Sequence, residues 1–472
     1  MSERWVDLPI NQPLYRNLDE DAVQGYQTAI ENGFRNELGG QSRFPGLKLF
    51  ATLPDNGRVY LNDFNGNLVA ATSKGLIYTL DRAGNVSART GAPVSGGRRV
   101  IMSKGDVEMY FAAGGDIVRL RGEKSEILSS AAPRATHVGW IDGYVIAAEI
   151  NSGRLYHSGA RQPDQWDPLD VYLADGNPDN VSALLITPFR EIMVAGPNSI
   201  EQFERIPTGS QAFFKRWAIG DGISAPYAQT FADNRMWSIN AQREVIRSSG
   251  QISEAVSAAI GSYLEAIDNW DDAWMGGYPD KPLNLIGQKF LLIQAPLATN
   301  PYGSKGITLL LDYVKGEWSE LYGFDVNTGL PARWPGWSHW NLWDRVFVGA
   351  EGKIYEFDKS LFSNEGITQR WLVRSAHLTS GYRSHIKGLR LQVKRGMGSS
   401  DTDSRIWVRC SRDGRPFGPK IYRSLGKAGE RSMMLEFGQF GIAATFQFEF
   451  GCTDDVPVEL VKAQIKNDPI GH

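Results

Sequence analysis

Six histidines, two cysteines and 53 carboxylates are the raw material for acid–base, nucleophilic or metal chemistry in this chain of 472 residues. Their spacing assembles none of it. His137, His157, His339, His377, His385 and His472 show no paired metal spacing, and Cys410 and Cys452 are the only soft ligands. No glycine-rich phosphate loop of Walker type, nucleophile elbow or zincin pair occurs. Asp271 with Asp272, and Asp454 with Asp455, are adjacent in sequence. In a strand such neighbours point to opposite faces, which does not suit acid–base work across one bond. The expectation is a protein that is not an enzyme and that holds neither a metal nor a cofactor.

Two features could instead serve binding. From Arg370 to Arg431 there are 15 Lys and Arg against 4 Asp and Glu, which leaves 35 against 49 in the rest of the chain. A basic segment on an acidic body can attract phosphate or an acidic partner, and it can equally be the solvated face of a sheet. Its candidate interface residues are Arg383, His385, Lys387, Arg390, Lys394 and Arg395. The second feature is the stretch Trp334 to Trp343, with four Trp in ten residues, from which Trp334 and Trp337 are further interface candidates. Such rings can stack on sugars or fill the space between sheets.

The elements that must position these residues read as strands. Tyr, Phe and Trp make up 11% of the chain and glycine supplies 51 residues, a combination that favours pleated sheets joined by tight turns. A loose repeat begins near Val59: an alternating apolar strand, a turn bearing Gly or Asn, then a second strand with an aromatic or Leu near its end. The copies start at Leu68, Val107, Tyr144, Glu191, Arg235, Lys289 and Arg345. Taking Tyr78, Val118 and Tyr156 as equivalent gives spacings of 40 and 38 residues, the length of a propeller blade of about 40–45 residues. One blade cannot bury both of its apolar faces, so blades stack until the last meets the first. The fold class predicted is all-β, a β-propeller of about seven blade-like repeats.

Three regions depart from the repeat. Residues 1–46 read as an N-terminal arm ahead of a propeller over 47–364. A helical insertion is predicted at about 251–278, because Ile252, Val256, Ala259, Ile260, Tyr263, Leu264 and Ile267 fall on one helical stripe, with Ser253 and Glu254 able to start it. Residues 365–472 read as a C-terminal antiparallel sheet completing or flanking the propeller, since Leu389 to Val393, Arg405 to Ser411 and Thr445 to Phe450 alternate with period two. The start, Met1-Ser2-Glu3-Arg4-Trp5, lacks a secretory core, no run approaches the ~18 apolar residues that span a bilayer, and two cysteines make no disulfide framework. These point to synthesis and assembly in a reducing cytoplasm.

Several stretches resemble one family. Asn32-Gly33-Phe34-Arg35-Asn36 with Arg43-Phe44-Pro45-Gly46, the block Thr187 to Phe203, and the C-terminal run of Ser411-Arg412-Asp413-Gly414, Phe417-Gly418, Thr445 to Phe450 and Pro457 to Leu460 are similar to the packaged-DNA stabilisation, or tail accessory, proteins of short-tailed bacteriophages. The likeness runs in order along nearly the whole chain. It implies a virion protein: a homohexameric ring, the tail nozzle or hub, below the portal and its adaptor. Such a ring extends the DNA channel, retains packaged DNA and docks a tail needle and tailspikes or fibres. DNA would pass along the ring axis without sequence-specific contact. The alternative is a propeller that binds a receptor or glycan at the host surface.

Overall fold

The computed structural model describes residues 4–10, 14, 28–174, 179–206, 211–278, 289–394, 403–426 and 433–469. Each predicted hairpin forms the middle of a four-stranded antiparallel unit. Blade 1 comprises Val59–Phe64, Asn67–Thr72, Ile77–Leu80 and Val86–Ala88; blade 2 runs from Ile101–Lys104 to Lys124–Ile127; blade 3 from Ala135–Ile141 to Gln162–Leu173; blade 4 from Ala183–Ile186 to Phe213–Ile219; blade 5 from Gln229–Ala232 to Ile252–Ala255. Blade 6, Trp274–Tyr278 to Glu317–Glu320, belongs to a larger sheet, whereas the other units are separate sheets. Blade 7 takes Ser338–Leu342, Arg345–Gly349 and Lys353–Asp358 from one end of the repeat and its outer strand, Gly46–Thr52, from the other. Closure is therefore made by main-chain hydrogen bonds, because a strand preceding blade 1 completes the last blade.

A hydrophobic core fills every gap between blades. Val69, Phe111 and Val118 pack between blades 1 and 2; Tyr110, Val138 and Val145 between 2 and 3; Ile146, Ile192 and Phe203 between 3 and 4; Met193, Ile200 and Met236 between 4 and 5. Trp237, Ile239 and Leu309 join blades 5 and 6, Leu292 and Val348 join 6 and 7, and Val59, Leu61 and Phe347 join 7 and 1. The ring is closed, and each sheet has both faces covered, which is why the strands carry apolar residues on both sides.

The helical stripe is realised only in part. Ile252–Ala255 is the outer strand of blade 5, paired with Val245–Ser249, and Ile252 is exposed. A 3₁₀ turn at Ala258–Ile260 and a short helix at Gly261–Glu265 follow. Ser257 takes the N-cap position of the 3₁₀ turn, yet its Oγ accepts from Val245 N at 3.0 Å instead of capping it. A waiting strand edge offers residues 252–255 a full ladder of main-chain bonds, whereas Gly261 weakens any helix running through it. Only Ile260, Tyr263, Leu264 and Ile267 keep the buried face the periodicity implied.

Blade 6 continues into the C-terminal sheet through a strand from the beginning of the chain. Ala29–Glu31 lies between Glu317–Glu320 and Trp371–Arg374. Beyond it, Gly441–Cys452, Leu378–Val393, Glu459–Pro469 and Arg405–Arg412 enclose a separate core containing Leu389, Leu391, Val408, Phe448 and Phe450. Arg4–Leu8 adds antiparallel to Glu459–Pro469. Cys410 and Cys452, on adjacent strands, are free thiols. Burial pushes the Cys410 thiol up to about 12 and raises that of Cys452, so neither is an activated nucleophile.

Candidate functional site

The first strand of each blade has a ladder on one side, and its other edge faces the ring axis, where Trp274 of blade 6 makes a single bridge to Tyr227. These inner strands enclose a cavity of about 440 Å3 lined from all seven blades. Its character follows from that placement. Edge strands bring N–H and C=O groups to the axis, so the wall is polar in backbone even where side chains are apolar, and side chains meet some of these groups, as Asn62 Nδ2 does the Met102 carbonyl at 3.3 Å. Close packing fixes one position: a Cβ at Gly276 would meet His339 Cε1 at 2.5 Å and the Trp274 ring at 2.7 Å.

Arg99, just before the inner strand of blade 2, closes one end. It is 4% exposed, donates to Asp272 Oδ1 at 3.0 Å and also to the carbonyl of Trp337. Its guanidinium lies 4.7 Å from the centre of the Tyr60 ring and 5.6 Å from that of Trp274. Asp272 also accepts from Arg58 Nη1 at 2.8 Å. One carboxylate on the connection into blade 6 thus holds guanidiniums from blades 1 and 2, and both guanidiniums meet blade 7 at Trp337. Burial pushes the Tyr60 hydroxyl up to about 12.

Two imidazoles share this axis. His137 stacks on Tyr227 with centroids 5.4 Å apart, and His339 meets Trp274 edge-on at 4.5 Å. Burial pushes His137 down to about 4 and His339 down to about 3, so both are neutral at physiological pH. A general acid–base pair poised near neutrality is not what these environments make. Among the described residues no group of three His, Cys, Asp or Glu is placed to hold a metal ion, and no helix is long and apolar enough to cross a membrane.

The interface candidates of the sequence lie elsewhere and are not brought together with the axis. Trp334 and Trp337 are buried: Trp334 stacks on Phe357 at 6.1 Å, and Trp337 is sandwiched between Arg58 at 4.2 Å and Arg333 at 4.3 Å. Their faces are covered, so of the two readings open to these rings they fill the space between sheets, and they do not stand exposed as an interface or a sugar-stacking platform. In the basic segment, Lys387 pairs with Asp468 at 2.7 Å and Lys394 with Glu459 at 3.2 Å. Arg390 donates to Gln464 at 2.6 Å beneath the Trp5 ring, 4.4 Å away. Arg374 and Arg409 both pair with the fully buried Glu449. Arg383 is exposed, His385 is half-buried, and Arg395 lies outside the described residues. Four of the segment's cations, Arg374, Lys387, Lys394 and Arg409, are thus met by acids of the same sheet. Asp454 and Asp455 act on backbone, accepting from Arg405 N at 2.7 Å and from Phe362 N at 2.5 Å.

Sequence reasoning missed Arg58, Arg99, His137 and Tyr227 as axial residues. It passed over Asp272 as one of two adjacent acids, although the pair Arg98-Arg99 ahead of an apolar strand was a visible signal of buried charge.

Residues 29–281 match the model of the family described as Bacteriophage P22 Gp10, beta-propeller. The chain belongs to this family. It is therefore a structural propeller protein of a bacteriophage and a component of the virion. No curated protein matches the chain by sequence. Solved structures similar to it include the WD40 propeller domain of Doa1, at 12% identity and a TM-score of 0.41, covering 67% of this chain and 98% of that one. A catalytically inactive virginiamycin B lyase from Staphylococcus aureus with quinupristin has 13% identity and a TM-score of 0.41, covering 66% and 98%. BamB from Moraxella catarrhalis has 13% identity and a TM-score of 0.38, covering 76% and 97%.

Proposed function

We propose that this chain is the nozzle or hub subunit of a short-tailed phage tail. Copies form a ring, homohexameric as in the resemblance, below the portal and adaptor. The ring extends the DNA channel, helps retain packaged DNA and docks a needle and tailspikes or fibres. The observation carrying this reading is the family match over residues 29–281. Geometry adds a constraint on how the role would be performed. The propeller's own axis is closed by one Arg–Asp contact and leaves about 440 Å3, so a DNA duplex would run between subunits and not through a propeller. Among the described residues the cavity itself is lined by one cation and no carboxylate; an acidic, non-adhesive wall for DNA would have to come from the outer surfaces of neighbouring copies.

The C-terminal sheet supports the same reading. It is tied to blade 6 by a buried network in which Glu31 holds Arg370 and the Tyr302 hydroxyl, while Glu320 accepts from Tyr263 at 3.0 Å and Tyr322 at 2.7 Å. A subunit whose two parts are joined by such buried bonds can present one part to a neighbour and the other to a partner. The test is reconstitution with purified portal and adaptor, followed by mass measurement and electron microscopy. A closed ring of copies bound to the adaptor is expected. A chain that stays monomeric and leaves the adaptor bare would overturn the reading.

A further inference from the structure

The axial cavity has features that a plug would not need. Its volume, about 440 Å3, falls in the range of ~300–1,000 Å3 usual for small-molecule sites. Among the described residues Arg99 is the one charged residue lining it, and Asp272 neutralises that charge. The wall combines aromatic rings, those of Tyr60, Tyr227, Trp274 and Trp340, with the inner edges of seven strands, some of whose carbonyls, such as that of Met102, are already met by side chains. Gln229 Nε2 and Oε1 and Asn341 Oδ1, in the same wall, are buried without a hydrogen-bond partner. A buried amide left unpaired costs roughly 1–3 kcal/mol, and turning either amide toward a bound molecule would recover it. Water could meet single groups, but it leaves the rings beside it without an apolar partner.

We propose that this cavity binds a neutral, polyhydroxylated small molecule of mono- or disaccharide size, entering from the end opposite Arg99. One face of such a molecule would lie on the aromatic rings, and its hydroxyls would both donate to and accept from the amides and the strand edges. The absence of an unpaired charge in the wall disfavours phosphorylated or acidic sugars, whose desolvation nothing here would offset.

The experiment uses the full chain in isolation and so does not depend on ring formation; its failure would leave the nozzle reading untouched. Glucose, galactose, N-acetylglucosamine and maltose are the probes, with glucose 6-phosphate as the charged control. Saturation-transfer NMR and tryptophan fluorescence read binding, and a structure of the soaked protein locates it. At least one neutral sugar is expected to bind on the axis, with the charged control weaker. Gln229→Leu, or Asn341→Leu should the first not fold, should weaken binding roughly tenfold or more. No transfer from any sugar together with water alone in the cavity, or wild-type binding by both variants, would overturn the assignment.

Discussion

The propeller and the C-terminal sheet are both antiparallel β-structure around apolar cores, yet they are assembled across very different sequence distances. Within blades 1 to 5 every strand pairs with a near neighbour in the chain. The junction and closure do the opposite: Ala29–Glu31 pairs with Trp371–Arg374, Gly46–Thr52 with Lys353–Asp358, and Arg4–Leu8 with Glu459–Pro469. Charge follows the same division. At the propeller axis Asp272 alone joins Arg58 of blade 1 to Arg99 of blade 2, whereas the junction gathers Glu31, Glu320 and Arg370 with three tyrosines. Local hairpins build the blades, and a few buried ionic contacts between distant residues set how the two parts meet.

The largest effect should come from the axis. Asp272→Ala leaves Arg99 buried without its carboxylate and releases Arg58, and breaking such a pair costs about 3–5 kcal/mol. Urea unfolding should register that loss, and an Asp272→Ala protein as stable as wild type would contradict the structural weight given to Arg99. Next comes Glu31→Ala, which removes the carboxylate shared by Arg370 and Tyr302. A loss of about 3 kcal/mol is expected, and hydrogen exchange should quicken in Ala29–Glu31 and Trp371–Arg374 while blades 1 to 4 keep their protection. Uniform loosening of every blade would mean that the two parts are not separable.

Acid sharpens the comparison further. His137 and His339 titrate below their ordinary value in the folded protein because they are buried, whereas the unfolded chain protonates near 6.5. Between about 6.5 and about 4 the unfolded state therefore binds more protons, and stability falls as pH drops through that window. The full contribution is present above about 6.5. Replacing both residues with Gln should flatten the pH dependence of the thermal midpoint in that window, and an unchanged slope would remove the axial imidazoles as its source. The smallest effect is reserved for the exposed Arg383: Arg383→Ala should change stability by no more than about 0.5 kcal/mol. Any larger consequence of that change should appear only in assembly with a partner.

The contrast in sequence distance also decides what could be read in advance. Hairpins such as Asn67–Thr72 with Ile77–Leu80 announce themselves through alternation and a Gly turn, so the propeller was legible in the sequence. The strand at Ile252–Ala255 was read as helix because residues 256–267 do carry a helical stripe, and only a neighbouring edge strand reveals what the preceding four residues do. The Arg99–Asp272 contact spans 173 positions, and no local pattern encodes such a meeting. For Trp334 and Trp337 the sequence left both stacking on a sugar and filling the space between sheets open, because burial depends on which blade lies opposite.

Cryo-electron microscopy of a tail assembled from portal, adaptor and this chain, with DNA in the channel, tests the account most directly. The account predicts a ring of copies with the duplex running between them, and each propeller axis still closed by Arg99 on Asp272. A propeller opened around DNA, or an assembled tail from which this chain is missing, would contradict it.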